Sequence, residues 1–144
     1  MDKQKQKKVL FLCTHNSARS QMAEGLLRHF GGDNYQVYSA GTEQAFVRPQ
    51  AIQVMSEMGI DISHQESKTL AQYLADQFDD VITVCDDANE ACPVFPNAKN
   101  RRHWSLPDPS KATGTDAEQL KVYRAVRDAL QKRIKEDLLL YPET

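Results

Sequence analysis

The sequence predicts an α/β fold on a parallel sheet, and three observations carry that expectation. Short apolar or β-branched runs alternate with stretches whose apolar residues recur every three or four positions. Strands that alternate with helices of this length build crossover units and a parallel sheet. The 144 residues, 40% of them hydrophobic, also suit one domain, residues 1–144, with a single core.

Lys7 to Cys13, containing Val, Leu and Phe, reads as a buried strand. Ser20 to Phe30 reads as a helix through Ala23, Leu26, Leu27 and Phe30, and Gly31-Gly32 ends it. Tyr35 to Ser39 is the second strand, closed by Ala40-Gly41. Pro49 suits a first helical turn, with Ala51, Ile52, Met55 and Met58 on one face before Gly59. Ser67 to Phe78 reads as another helix, through Leu70, Tyr73 and Leu74. Val81 to Cys85 is a β-branched strand, and Lys99 to Trp104 a weaker one. Thr115 or Asp116 then caps a long helix with Tyr123, Val126, Leu130, Ile134 and Leu138 as its stripe. Ligands of such sheets sit at the carboxyl ends of the strands, where Cys13 and Cys85 both fall.

Charge and composition exclude several classes. Eighteen Lys+Arg against 20 Asp+Glu leave a net charge of -2, which argues against a nucleic-acid binder. No apolar run reaches the length of a membrane span. The polar start, Met1 to Lys8, holds no signal-peptide core, so a cytoplasmic location is expected. In that reducing compartment, Cys13, Cys85 and Cys92 are not a structural disulfide framework. They are inert core thiols, metal ligands, or redox and nucleophilic groups. The absence of Cys-x-x-Cys and His-x-x-x-His argues against zinc.

The segment Cys13-Thr14-His15-Asn16-Ser17-Ala18-Arg19-Ser20 joins a strand to a helix start. Backbone N–H groups of such a loop can turn inward as an anion cradle, and the helix N-terminus adds positive potential. Arg19 can return a planar, bidentate guanidinium to the same anion. A thiol at the base of such a loop is favoured as thiolate, the nucleophilic form. The Ser17 and Ser20 hydroxyls are candidate donors to it. The plain alternative is a core cysteine followed by a surface arginine.

Nearly the whole chain resembles the low-molecular-weight protein tyrosine phosphatase superfamily, and within it the arsenate reductases that recycle through thioredoxin. The resemblance rests on Cys13 to Gly25, Ser39-Ala40-Gly41-Thr42, Cys85, Cys92-Pro93 and Asp108-Pro109. It implies a four-stranded parallel sheet flanked by helices on both faces. It also implies that Cys13 attacks the oxyanion, that Thr14 to Ser20 hold it with Arg19, and that Asp108 is the general acid. Asp108 needs to reach within about 3 Å of the leaving oxygen, directly or through one water.

Phosphatase and reductase share the first step and differ in how the adduct ends. Water ends it in a phosphatase. In a reductase a second thiol attacks the Cys13 sulfur and a third relocates the disulfide to an external reductant. The resemblance puts Cys85 and Cys92 in those two places. A helical spacing of seven residues would hold them about 10 Å apart, too far for a disulfide, so Asp86 to Ala91 must be free to lose helical structure. The expected activity is therefore reduction of arsenate to arsenite, as arsenic resistance, with thioredoxin as electron donor, no tightly bound cofactor, no metal, and a monomeric chain. Phosphate and sulfate are the expected substrate analogues. The alternatives are a phosphatase acting through a phosphocysteine at Cys13, and a thiol sensor that needs neither Arg19 nor Asp108.

Many relatives carry Gly where His15 stands and a second Cys where Ala18 stands. In the phosphatases an aromatic residue follows the Asp-Pro, where this chain has Ser110. His15 either raises the potential of the loop or points to solvent. Asn16 and Ser39 look like the family's scaffold pair. Relatives with a potassium site build it from Asn, Glu, Ser and Asp. Asn16, Glu24 and Ser39 match three of these, and Lys68 falls at the Asp, where its ammonium would replace the ion. Arg101-Arg102-His103-Trp104 reads as a weak edge strand.

Overall fold

The computed structural model describes residues 6–86 and 94–139. Its strands are β1 (Lys7–Cys13), β2 (Tyr35–Gly41), β3 (Phe78–Thr83) and β4 (Ala98–His103), and its α-helices are α1 (Arg19–Gly31), α2 (Pro49–Ser56) and α3 (Asp116–Ile134). The strands form one sheet in the order β2-β1-β3-β4, and each neighbouring pair is parallel. The expected four-stranded parallel sheet is thus present.

The central strand follows directly from its composition. Val9, Leu10, Phe11 and Leu12 are each fully buried, as expected where both faces of a parallel strand are covered. Val9 and Phe11 face one layer, with residues of α1, α2 and α3. Leu10 and Leu12 face the other, with Phe78, Phe95 and the 3-10 turn Leu70–Tyr73. Helix α1 runs between the sheet and α3 and is buried along Arg19 to Leu27. At its end Gly32, at φ 56°, takes the left-handed conformation that suits glycine. Thr115 caps α3 in a capping box, accepting from the Glu118 N–H while the Glu118 carboxylate accepts from the Thr115 N–H.

Two sequence expectations are corrected. Ser67 to Phe78 is not a helix but extended chain around one 3-10 turn, Leu70–Tyr73. The Lys68 N–H is taken by the Asn16 Oδ1 at 2.7 Å and its carbonyl by the Gly41 N–H at 2.9 Å. Thr69 bridges to Gly41 as in a parallel strand. At the far end Phe78 is drawn into β3 and fully buried. Tertiary bonds at both ends therefore override the helical spacing. The third strand begins at Phe78 rather than Val81 and ends at Thr83, two residues before Cys85. Asp79 and Asp80 disguise its start. The Asp79 carboxylate accepts from the Lys8 N–H at 2.8 Å, and Asp80 lies 3.9 Å from Arg102.

The turn after α2 is tied to α3 by Glu57, which accepts from Arg124 at 2.8 Å and from Arg127 at 2.9 Å. The Arg124 hydrogen bond is the main cause that holds the Glu57 pKa at about 2 instead of 4.5. A depressed carboxyl stabilises the fold above its unfolded value and loses that contribution as pH falls through the folded one. Glu57→Gln should lower the melting temperature at pH 7 and flatten the acid loss of stability between pH 4.5 and about 2. Identical acid melting profiles for the two proteins would contradict this.

Candidate active site

Cys13 is the last residue of β1, and its side chain is buried as a free thiol. The Ser20 hydroxyl, on the first turn of α1, lies 2.9 Å from its Sγ. The Asn16 N–H donates to the same sulfur at 3.3 Å.

The inward turn of the amides follows from where the loop carbonyls go. The Thr14 carbonyl accepts from the Thr42 and Glu43 N–H groups at 2.9 and 3.1 Å. The His15 carbonyl accepts from the Ser67 hydroxyl at 3.0 Å, and the Asn16 carbonyl from Gln21 Nε2 at 3.1 Å. The Ser17 and Ala18 carbonyls accept from the Arg48 and Met22 N–H groups at 2.9 and 2.8 Å. Donors outside the loop thus hold five successive carbonyls, which turns the N–H edge of those peptide units toward the side of Cys13, where the Asn16 N–H meets the sulfur. Gly41 permits the close approach. A Cβ there would stand 2.7 Å from the Thr14 oxygen and 2.8 Å from the Asn16 nitrogen.

Asn16 sits at φ 53°, a conformation that asparagine tolerates better than most residues. Its side-chain amide uses its full capacity. Nδ2 donates to Ser20 Oγ at 2.8 Å and Ser39 Oγ at 2.9 Å, and Oδ1 accepts from Gln21 Nε2 at 2.8 Å and the Lys68 N–H at 2.7 Å. Ser39 passes the network on, donating to Glu24 at 2.5 Å. Glu24 is paired with Arg28 at 2.6 Å and with Lys68 at 3.9 Å. Burial lowers the Lys68 pKa, and the Glu24 carboxylate pushes it back up. Gln65 completes the scaffold by donating to Gln21 Oε1 at 2.7 Å.

Arg19 is almost fully buried. Its Nη1 donates to the Leu106 carbonyl at 3.1 Å and its Nη2 lies 3.7 Å from the Asp108 carboxylate. Asp108 caps the 3-10 turn Pro109–Lys111, accepting from the Ser110 N–H at 2.9 Å and its hydroxyl at 2.7 Å. Cys85 is fully buried in the same core layer as Cys13 and is disulfide-bonded. Its carbonyl accepts from the Leu106 N–H at 3.3 Å, so Leu106 links Cys85 on one side to Arg19 on the other. The Val84 N–H still bonds the Leu12 carbonyl at 2.8 Å, so the chain leaves the sheet for Cys85 beside the end of β1.

Cys13, Asn16, Arg19, Ser20, Cys85 and Asp108 are therefore brought together. Ser17 enters through its carbonyl, and His15 turns outward, 3.3 Å from the exposed Glu43. Cys92 lies outside the described residues. Arg28, Gln65 and Leu106 had no motif to mark them, and Gln21 lies within the Cys13 to Gly25 motif without a role assigned to it, although all four hold the loop and Arg19 in place. No cluster of metal-ligating side chains occurs among the described residues, and no described helix is long and apolar enough to cross a membrane.

A thiol at the base of an amide-lined loop, faced by a buried guanidinium and a carboxyl group on a parallel α/β sheet, is the arrangement that nucleophilic attack on an oxyanion calls for. The chain belongs to the low-molecular-weight phosphotyrosine protein phosphatase family, whose profile matches residues 8–139. It is 51% identical over 129 residues to an arsenate reductase of Halalkalibacterium halodurans, which covers 90% of this chain and 93% of that protein. A solved structure described as an arsenate reductase in the phosphate binding state superposes with a TM-score of 0.77 at 38% identity, covering 90% of this chain and 95% of that one. A thioredoxin-dependent arsenate reductase of Corynebacterium glutamicum gives a TM-score of 0.63 at 30% identity over 91% of this chain and 63% of that one.

Two outcomes follow. Gly41→Ala should cut oxyanion affinity and turnover by roughly 10²-fold, the scale of a 1 Å displacement of catalytic groups, with the far-UV circular dichroism unchanged. Full activity in that variant would contradict the close approach. With Lys68 and Arg28 already on Glu24, activity should be the same in potassium and sodium at constant ionic strength. A several-fold stimulation by potassium would overturn that role for Lys68.

Proposed function

We propose that the protein is an arsenate reductase that works by a three-cysteine relay and is regenerated by thioredoxin in the cytoplasm, as a means of arsenic resistance. The observation that carries this reading is the pair of thiol states in one core layer. Cys13 is free at the base of the cradle, while Cys85 is oxidised one hydrogen-bonded residue away from Arg19. The curated relative supports the substrate, and the Corynebacterium enzyme supports the electron donor.

The Cys13 thiolate attacks arsenic, and Asp108 gives its proton to the departing oxygen, which leaves as water. Arg19 and the loop amides hold the remaining oxygens. The Cys85 thiolate then attacks the Cys13 sulfur. The arsenic–sulfur electron pair passes to arsenic, which falls from As(V) to As(III), and arsenite leaves behind a Cys13–Cys85 disulfide. Cys92 attacks Cys85, frees Cys13, and leaves a Cys85–Cys92 disulfide for the dithiol of thioredoxin to reduce. The same cradle accepts phosphate, so a weak phosphatase activity through a phosphocysteine accompanies the reduction.

Single-turnover arsenite release with disulfide mapping tests this order. Cys85→Ser should release almost no arsenite without an added small thiol. Cys92→Ser should complete one turnover and stall as Cys13–Cys85. A Cys92→Ser enzyme that cycles with thioredoxin would make Cys92 a bystander, and a Cys85→Ser enzyme with full thioredoxin-linked turnover would remove the mechanism.

A further inference from the structure

One cation beside the cradle has no place in the chemistry above. Arg48 is the N-cap residue of α2, and its N–H holds the Ser17 carbonyl. That bond fixes its Cα against the anion loop. Its side chain is half-buried, with the guanidinium carbon 5.0 Å from the centre of the Phe46 ring. Its Nε is buried and has no hydrogen-bond acceptor among the described residues. Arg28, Arg124 and Arg127 each rest on a carboxylate. No such partner holds Arg48 among the described residues.

Tyr123 is an electrostatic neighbour that Arg48 shares with Asp108. The Tyr123 hydroxyl, whose pKa burial raises, is pulled down by Arg48 and pushed up by Asp108. Both charges are therefore within electrostatic range of one buried hydroxyl. A half-buried cation is screened less than an exposed one, so its field reaches farther. A donor left open in that position is complementary to an anion.

Resting on the oxyanion reading above, we propose that Arg48 is a specificity-determining cation, a second guanidinium after Arg19 that favours a doubly charged tetrahedral oxyanion. It acts by charge. Lysine retains that charge, whereas glutamine and asparagine do not.

The test is calorimetric titration of inorganic phosphate into the full-length chain and its variants, alongside arsenate KM and kcat with thioredoxin. Arg48→Gln should weaken phosphate binding about five- to tenfold, as one partly screened charge predicts. Arg48→Lys should stay within about twofold of the parent. Arsenate KM should rise in parallel with the phosphate Kd, while kcat changes less than about twofold. Arg48→Asn, a favourable helix N-cap, serves as a second uncharged variant should the glutamine one fail to fold. Unchanged phosphate affinity in the uncharged variants would overturn the proposal, and so would an equal loss in Arg48→Lys, because shape rather than charge would then matter. Phosphate titration needs no redox chemistry. A chain that loses phosphate affinity at Arg48 but reduces no arsenate refutes the reductase and leaves Arg48 standing, and the reverse result separates them the other way.

Discussion

The site depends on one buried amide. Asn16 holds the loop in a left-handed turn at φ 53°, and its side chain saturates all four of its hydrogen-bonding positions. Because that side chain reaches Ser20, Ser39, Gln21 and Lys68 at once, it joins the loop to α1, to β2 and to the segment after α2. A single residue in an unfavourable backbone region is kept there by partners from three parts of the chain. The result is a cradle whose shape exists before any anion arrives, so binding need not pay to organise it.

Around that amide, charge is arranged in layers. Glu24 lies behind Ser39 and is balanced by Arg28 and Lys68, so the scaffold adds no net negative charge beneath an anion site. In front, Arg19 is positioned by a carbonyl as well as by a carboxylate, which keeps its guanidinium from collapsing fully onto Asp108. Leu106 provides that carbonyl and, through its N–H, holds the backbone of Cys85. One apolar residue with two backbone bonds thus sets the spacing between Arg19 and Cys85.

Much of this was legible in the sequence. The strand before Cys13 is an unbroken apolar run and the helix after it is periodic, and the Thr115 cap is local chemistry that sequence reveals. Cys13, Asn16, Arg19, Ser39 and Asp108 lie in short motifs. The helical spacing from Ser67 to Phe78 is real, but Asn16, Gly41 and Asn97 compete for its backbone from far along the chain. The start of β3 was hidden by two aspartates whose partners, Lys8 and Arg102, are again distant. Gln21 lies in the Cys13 to Gly25 motif but its scaffold role depends on distant partners, Gln65 looks like an ordinary loop residue, and Leu106 acts only through its backbone, which no side-chain pattern can disclose.

The central claim is that Cys13 forms the floor of a preformed oxyanion site. Alkylation of Cys13 by iodoacetamide, followed by peptide mapping with and without phosphate, tests it most directly. The account predicts that phosphate slows modification of Cys13 in a saturable manner, while sodium chloride at matched ionic strength does not. A rate of Cys13 modification that is indifferent to phosphate would contradict it.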